Sequence, residues 1–300
     1  MDGSSARIAW SCFSRDSRSA AQAGLLELSL RQFGGSLAES PFRVMTPDQA
    51  ETPVSIEGLA FAGKVWGAAA AEAWAEANGY PVLVWTDADS VVVREPTPML
   101  LPPGVAFGYR PVDLALIGSP WGEAPDAFWQ LVYEGCGVER IEAEPPITTS
   151  VDQRDIRPYF NAGMLVVRPE AGLLRAWRDN LLRLHSEPRF QQFLNPRELH
   201  WVFFHQAVLA GTVLTLVPRE ARLQLPHFLN YPLHLHARYP EDRRPASLAQ
   251  LLSFRHDDLF DRPGWVEMVP AAGSDQPVLS WLQTQLISNR APEVGEGIER

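Results

Sequence analysis

Two aspartates separated by one small residue, Asp87-Ala88-Asp89, follow directly on the run Val82-Leu83-Val84-Trp85-Thr86. A short apolar run of this kind, bounded by turn residues, reads as a buried strand. Two carboxylates at i and i+2 on the end of such a strand can meet one hard divalent cation, and that cation can hold a diphosphate. The competing reading is that the pair caps the next turn, as Asp commonly does.

Four other segments carry groups suited to a polar ligand. Lys64 is the only lysine in a chain with 26 Lys and Arg, and it sits in a helix of small residues. An ammonium is a compact donor for phosphate oxygens or sugar hydroxyls, although a lysine at a helix start also snorkels to water. Phe160-Asn161-Ala162-Gly163 opens a strand pattern. Asn offers donor and acceptor to sugar hydroxyls and Gly lets a ligand approach the backbone, while simple turn chemistry would account for either residue alone. His205-Gln206 lies on a helix pattern. Leu225-Pro226, then Asn230, leads to His234, His236 and His256. The alternation Leu233-His234-Leu235-His236 predicts a short strand with both histidines on one face.

The elements that must position these groups alternate. Strands are predicted at Arg7 to Phe13, Phe42 to Met45 and Val82 to Thr86, with helices at Ala20 to Phe33 and Phe61 to Asn78 between them. This is the pattern of a parallel sheet with covering helices. Further strands are expected at Val91 to Val93, Val105 to Tyr109, from Tyr159 on, and at Thr212 to Val217. Helices are expected at Trp121 to Tyr133, Glu170 to Ser186, Arg197 to Ala210 and Val278 to Ile287. The stretch Gly135 to Pro158 reads as a long loop of the kind that is often functional. Trp121 and Trp129 can stack on a sugar, although aromatics at helical spacing are more often core.

Three hundred residues suffice for a real core. A net charge of −10 speaks against a nucleic-acid surface, but leaves room for phosphate ligands handled by a metal and a few arginines. Cys12 and Cys136 make neither a disulfide framework nor a zinc site. Residues 1–7 lack an apolar signal core, and no run approaches the length of a membrane span. Together these place the chain in the cytoplasm. No internal repeat or domain boundary is evident.

The ordered set Lys64, Asp87-Ala88-Asp89, Phe160-Asn161-Ala162-Gly163, His205-Gln206 and Leu225-Pro226…Asn230 resembles the GT-A-fold glycosyltransferases. It is most similar to glycosyltransferase family 8, the glycogenin and lipopolysaccharide-galactosyltransferase type, over residues 7 to 260. The resemblance implies an α/β fold with a mixed central sheet covered by helices, as a single catalytic domain over 1–272 with a C-terminal helix and disordered tail over 273–300. It implies a metal-dependent transfer of a hexose from a nucleotide diphosphate sugar, a UDP-sugar, with retention. The acceptor, whether sugar, lipid-linked or protein, stays open. Mn2+ or Mg2+ would be held by Asp87, Asp89 and a downstream histidine, for which His236 is preferred over His234 and His256.

By the same resemblance Lys64 assists the diphosphate or sugar, and Asn161 and Gly163 surround the sugar. Gln206 lies near the anomeric carbon, where a neutral amide steadies developing charge. Where the family has Asp before that glutamine, this chain has His205. Ligands bind beyond the carboxyl ends of strands in open α/β sheets, which brings Ser14 and Asp16 to the nucleoside and Ala88 to the donor. Asp152 and Gln153 would reach the acceptor or sugar. The alternatives are a haloacid dehalogenase-like phosphatase with Asp87 as nucleophile, a nucleotidyltransferase lacking its usual Gly-rich loop, and a non-catalytic nucleotide-sugar-binding protein.

Overall fold

The computed structural model describes residues 8–56, 58–270 and 276–290. Its strands are β1 (Ala9–Phe13), β2 (Phe42–Met45), β3 (Leu83–Thr86), β4 (Ser90–Val92), β5 (Phe107–Pro111), β6 (Ile147–Thr148), β7 (Asp155–Ile156), β8 (Phe160–Val167), β9 (Arg222–Gln224), β10 (Tyr231–Pro232) and β11 (Ser253–Arg255). Its α-helices are α1 (Ser17–Phe33), α2 (Pro47–Ala50), α3 (Ala62–Ala77), α4 (Ala127–Cys136), α5 (Leu173–His185), α6 (Leu199–Leu216) and α7 (Gln276–Arg290). The expected tail beyond 290 lies outside the described residues.

The central sheet runs β2-β1-β3-β8-β5-β9. Every pairing in it is parallel except those made by β8, which runs against both β3 and β5. This is the mixed α/β sheet that the resemblance implies; the strand-helix alternation alone indicates parallel pairing, which β8 breaks. Both faces are covered, so strand residues alternate between two apolar layers rather than between core and water. Leu83, Trp85, Leu165 and Val167 join the layer shared with α3, α4, α5 and α6. Val84, Met164 and Val166 join the layer under α1, with Leu26 and Leu30. A smaller sheet, β10-β11-β4, packs with α7 around Tyr231, Phe254, Phe260 and Leu282.

One buried carboxylate fastens the helical layer. Glu72 of α3 is fully buried and accepts the backbone N–H groups of Leu174 and Arg175, each at 2.9 Å, and Nε of Arg175 at 3.0 Å. It thereby satisfies amides at the first turn of α5 that have no partner within the helix.

Four expectations are corrected. Residues 121–126 are not helical, because α4 begins only after Pro125, with the Asp126 carboxylate capping the Trp129 N–H at 2.9 Å. Thr212 to Val217 is not a strand. This β-branched run is the last part of α6, where Thr212 Oγ1 bonds back to Val208 O at 2.8 Å and Thr215 Oγ1 to Gly211 O at 3.0 Å. Packing against α4 outweighs β propensity there, and Gly211 lets the helices meet, since a Cβ would come within 2.6 Å of Cys136 Sγ. Leu233 to Arg238 is a 3-10 turn between Pro232 and Pro240, so His234 and His236 do not share a strand face. The long loop 135–158 contains the short hairpin β6–β7. By length and composition α6 would also cross a membrane; in the fold it lies against α4, α5 and β8.

Candidate active site

The parallel strands β1, β3 and β5 point their carboxyl ends at one cavity of about 800 Å³. That volume suits a ligand of nucleotide-sugar size. Asp87 leaves the end of β3 with its N–H on Gly163 O at 2.9 Å, and Ser90 N closes the turn on Asp87 O at 3.2 Å. Thr86 and Ser90 hydroxyls lock the same turn at 2.9 Å. Both Asp side chains line the cavity, with Ala88 between them.

Lys64, in the first turn of α3, forms an ion pair with Asp87 Oδ1. The residue that starts this helix, Phe61, is in the left-handed region at φ 62°. Asp89 Oδ2 accepts the N–H of Asp257 at 2.9 Å. Burial, and then the neighbouring Asp87 charge, push the Asp89 carboxyl up to about 6.

Antiparallel pairing of β4 with β11 sets Arg255 opposite Ser90 and so beside the carboxylates. Its Nη2 donates to Asp113 Oδ2 at 2.7 Å and its Nη1 lies 3.4 Å from Asn161 Oδ1. Burial works against the guanidinium's charge, but Asp113, Asp89 and Asp87 together outweigh it and hold the proton more tightly than usual.

Asn161 is the hub of this network. Its Nδ2 reaches Asp113 Oδ2 at 3.3 Å and its Oδ1 accepts Gly163 N–H at 2.7 Å. A Cβ on Gly163 would sit 2.8 Å from both Asn161 Oδ1 and Asp87 Oδ2 and 2.9 Å from Arg255 Nη1. The bare glycine is therefore what lets an amide, a carboxylate and a guanidinium crowd against β8.

From α6, Gln206 Oε1 accepts Ala162 N–H at 3.1 Å, which fixes the amide at the cavity wall. His205 lies beside it, with its ring 4.7 Å from that of Phe61. Its Nδ1 donates to Val202 O at 3.0 Å. Burial, then the Lys64 charge, lower its pKa to about 3, so the ring is neutral at pH 7.

The structure thus brings Lys64, Asp87, Ala88, Asp89, Asn161, Gly163 and Gln206 to one cavity. Asp16 also lines it, but its carboxylate caps α1, accepting Ser19 N–H at 2.8 Å. Ser14 is buried, with its hydroxyl 3.3 Å from Asp16 O, and does not line the cavity. Asp152 and Gln153 hold the loop instead, on Ala115 N and on the carbonyls of Thr149 and Ser150. Trp129 is core, with Nε1 on Ile117 O at 2.5 Å, and Trp121 lies away from the cavity.

His236, the preferred third metal ligand, is not in the cavity, because Nδ1 lies 3.0 Å from the Tyr231 hydroxyl. His256 gives Asp89 only its backbone N–H at 3.0 Å, while its ring stacks on Phe260 at 4.3 Å. His234 does line the cavity. Among the described residues no cluster of three or more His, Cys, Asp and Glu is placed to hold a metal. The donor set nevertheless fits a cation of the magnesium type. Such ions take one or two carboxylates and complete their shell with phosphate oxygens and water, and Asp87 and Asp89 supply those two.

Arg255 and Asp113 were not singled out from the sequence. Asp113 had the same signal as Asp87, a carboxylate just beyond the end of a strand, here β5. Arg255 carries no local signal, since its place depends on the pairing of β11 with β4.

Residues 69–209 match the model of the Rhodobacterales glycosyltransferase domain. That segment is a glycosyltransferase domain. It runs from α3 into α6 and includes Asp87, Asp89, Asn161, Gly163 and Gln206, while Lys64 and β11 fall outside it. The match sets aside the phosphatase and nucleotidyltransferase alternatives. No curated protein matches the chain.

Among solved structures, the glycosyltransferase is similar to mouse xyloside xylosyltransferase 1 in its apo form. The identity is 11% and the TM-score 0.43, with 85% of this chain and 99% of that one covered. It is similar to a glycosyltransferase involved in glycosylation of the major capsid of PBCV-1, at 14% identity and a TM-score of 0.41, covering 87% and 96%. It is also similar to galactosyltransferase LgtC in complex with donor and acceptor sugar analogs, at 14% and 0.42, covering 95% and 98%. Likeness of this degree leaves the architecture to be read from the strand order itself.

Proposed function

We propose that this glycosyltransferase moves a hexose from a UDP-sugar to an acceptor hydroxyl, with retention of anomeric configuration. The supporting observation is the convergence of four separate segments, carrying Lys64, the Asp87–Asp89 pair, Asn161–Gly163 and Gln206, on one cavity of nucleotide-sugar size. Asp87 and Asp89 would hold Mn2+ or Mg2+, which would neutralise the departing diphosphate. Lys64 swings from Asp87 to a phosphate oxygen as the donor enters. Asn161 orients sugar hydroxyls through an amide already fixed at both ends. The Gln206 amide, held by Ala162, offers a dipole rather than a charge to the developing positive sugar. His205 stays neutral beside it and adds no charge there.

The rim of the cavity includes Phe61 and Leu116, 47% and 51% exposed, both held at positive φ. Large apolar side chains kept exposed on strained backbone support an acceptor with an apolar face. A cytoplasmic location belongs to the same proposal, supported by two free, buried cysteines.

Calorimetric titration with UDP, with and without Mn2+, followed by a panel of UDP-sugars, tests the donor. Binding strengthened by Mn2+ is the expected result; silence toward UDP, GDP and other nucleoside diphosphates overturns the donor reading. Proton NMR of the first-formed product tests the stereochemistry, and an inverted anomer refutes retention.

A further inference from the structure

The carboxylate pair already has company. Lys64 occupies Asp87 Oδ1, and the Asp257 N–H occupies Asp89 Oδ2. One oxygen of each Asp remains for a cation. Arg255 stands in the same space, sharing with Asp87 Oδ2 and Asn161 Oδ1 the surface left bare by Gly163. It is anchored there by Asp113 at 2.7 Å, so it cannot easily retreat, and guanidinium is not deprotonated in proteins. A bare divalent ion that approaches Asp87 and Asp89 therefore meets the anchored Arg255 charge, and a Lys64 ammonium already paired with Asp87, in a partly desolvated site where repulsion is screened far less than in water. A diphosphate meets the reverse. Two cations face it, and a planar guanidinium matches phosphate oxygens in a fork. Arg255 spends few of its five N–H donors on Asp113 and Asn161, which leaves others for phosphate.

We propose that Arg255 binds the donor diphosphate directly and, by the same charge, keeps divalent metal out until the nucleotide brings it in. The diphosphate then supplies oxygens to the positions that Asp87 and Asp89 leave open on the ion. This deepens the donor reading above and rests on it.

The test measures Mn2+ binding by electron paramagnetic resonance and nucleotide binding by calorimetry. The wild type and Arg255→Met are compared, with Arg255→Met/Asp113→Asn as a second variant that leaves no orphaned carboxylate. Uridine serves as a control that lacks phosphate. The wild type is expected to bind Mn2+ alone weakly and UDP with Mn2+ well. Arg255→Met is expected to bind Mn2+ alone about tenfold more tightly and UDP with Mn2+ about tenfold more weakly, with uridine affinity unchanged, because removing one positive charge acts oppositely on a cation and an anion. The double variant, which also removes the Asp113 charge, is expected to lose the same UDP affinity with a smaller gain in Mn2+ binding. Tight binding of Mn2+ alone by the wild type overturns the inference. So does a variant that loses uridine and UDP equally, since Arg255 would then be structural, or one that changes neither. If the wild type binds no nucleoside diphosphate with or without Mn2+, the donor reading itself fails and takes this inference with it.

Discussion

Glu72 and the Asp87–Asp89 pair are the same chemical group in two regions, and their partners differ in kind. Glu72 lies in the helical layer with no exposure. Its oxygens are taken by two backbone N–H groups and Arg175 Nε, all on α5. The two amides cannot leave without unfolding the start of α5. Asp87 and Asp89 lie at a cavity wall, and their partners include the ends of flexible cations. Such a set can be exchanged for a ligand. A buried carboxylate whose acceptor sites are filled by backbone is fastening the fold, while one crowded by other carboxylates and movable cations is kept for binding.

The comparison breaks if the two regions respond alike to neutralisation. The largest expected effect is Asp89→Asn. It should lower transfer activity by about 10²–10³-fold, in the range seen when a preorganised charge-stabilising group is lost. Thermal melting should stay near the wild-type value or rise, because burial and Asp87 already disfavour the Asp89 charge. A large drop in melting temperature would make the pair structural. Glu72→Ala should do the opposite. It leaves two buried α5 amides without their partner, with Arg175 keeping Glu76 and Pro169 O, at a cost of about 3 kcal/mol measured by urea denaturation, and nucleotide affinity of the folded protein should not change. If nucleotide binding falls while stability holds, the division between the regions is wrong.

Smaller changes sharpen it. Gly163→Ala should preserve the fold, since the clashing atoms are side-chain ends, yet weaken UDP binding by about tenfold as Asn161, Asp87 and Arg255 are pushed apart. Unaltered affinity would mean that the cluster yields freely. The last effect concerns His205 and appears only in acid. Its folded pKa of about 3 lies below the ordinary value, so acid makes the unfolded chain take up a proton that the folded chain refuses. Stability from this residue is complete above about pH 6.5 and falls as the pH drops toward 3, by at most about 1.4 kcal/mol per pH unit. His205→Phe should flatten the pH dependence of urea unfolding between pH 7 and 5; an unchanged slope would show that His205 is not the group responsible.

Legibility in the sequence followed the regularity of the backbone. Asp87, Asp89, Asn161, Gly163 and Gln206 ride on β3, β8 and α6, whose apolar patterns or strand ends announce them, while the alternation of strands and helices indicates a parallel sheet and only the family resemblance implies a mixed one. Thr212 to Val217 reads as a strand because its β-branched composition is a local signal, while the close approach of Gly211 to Cys136 that accompanies its helical form is not. His236 alternates with leucines in the sequence, but the segment between Pro232 and Pro240 folds as a 3-10 turn. Arg255 could not be ranked at all, since its meaning comes from the β4–β11 pairing and from Asp113, each far away in the chain.

That pairing has a consequence for the order in which the protein comes together. The N–H of Asp257 reaches a carboxylate 168 residues before it. Closing so long a loop costs entropy that only a formed core can offset. The sheet and helices can therefore assemble around an inert pair of aspartates, and competence arrives with the last strand. A molecule that has lost only β11 to local unfolding would keep most of its secondary structure but lose Arg255 from beside the carboxylates, so ligand affinity is the more sensitive gauge of whether this fold is complete.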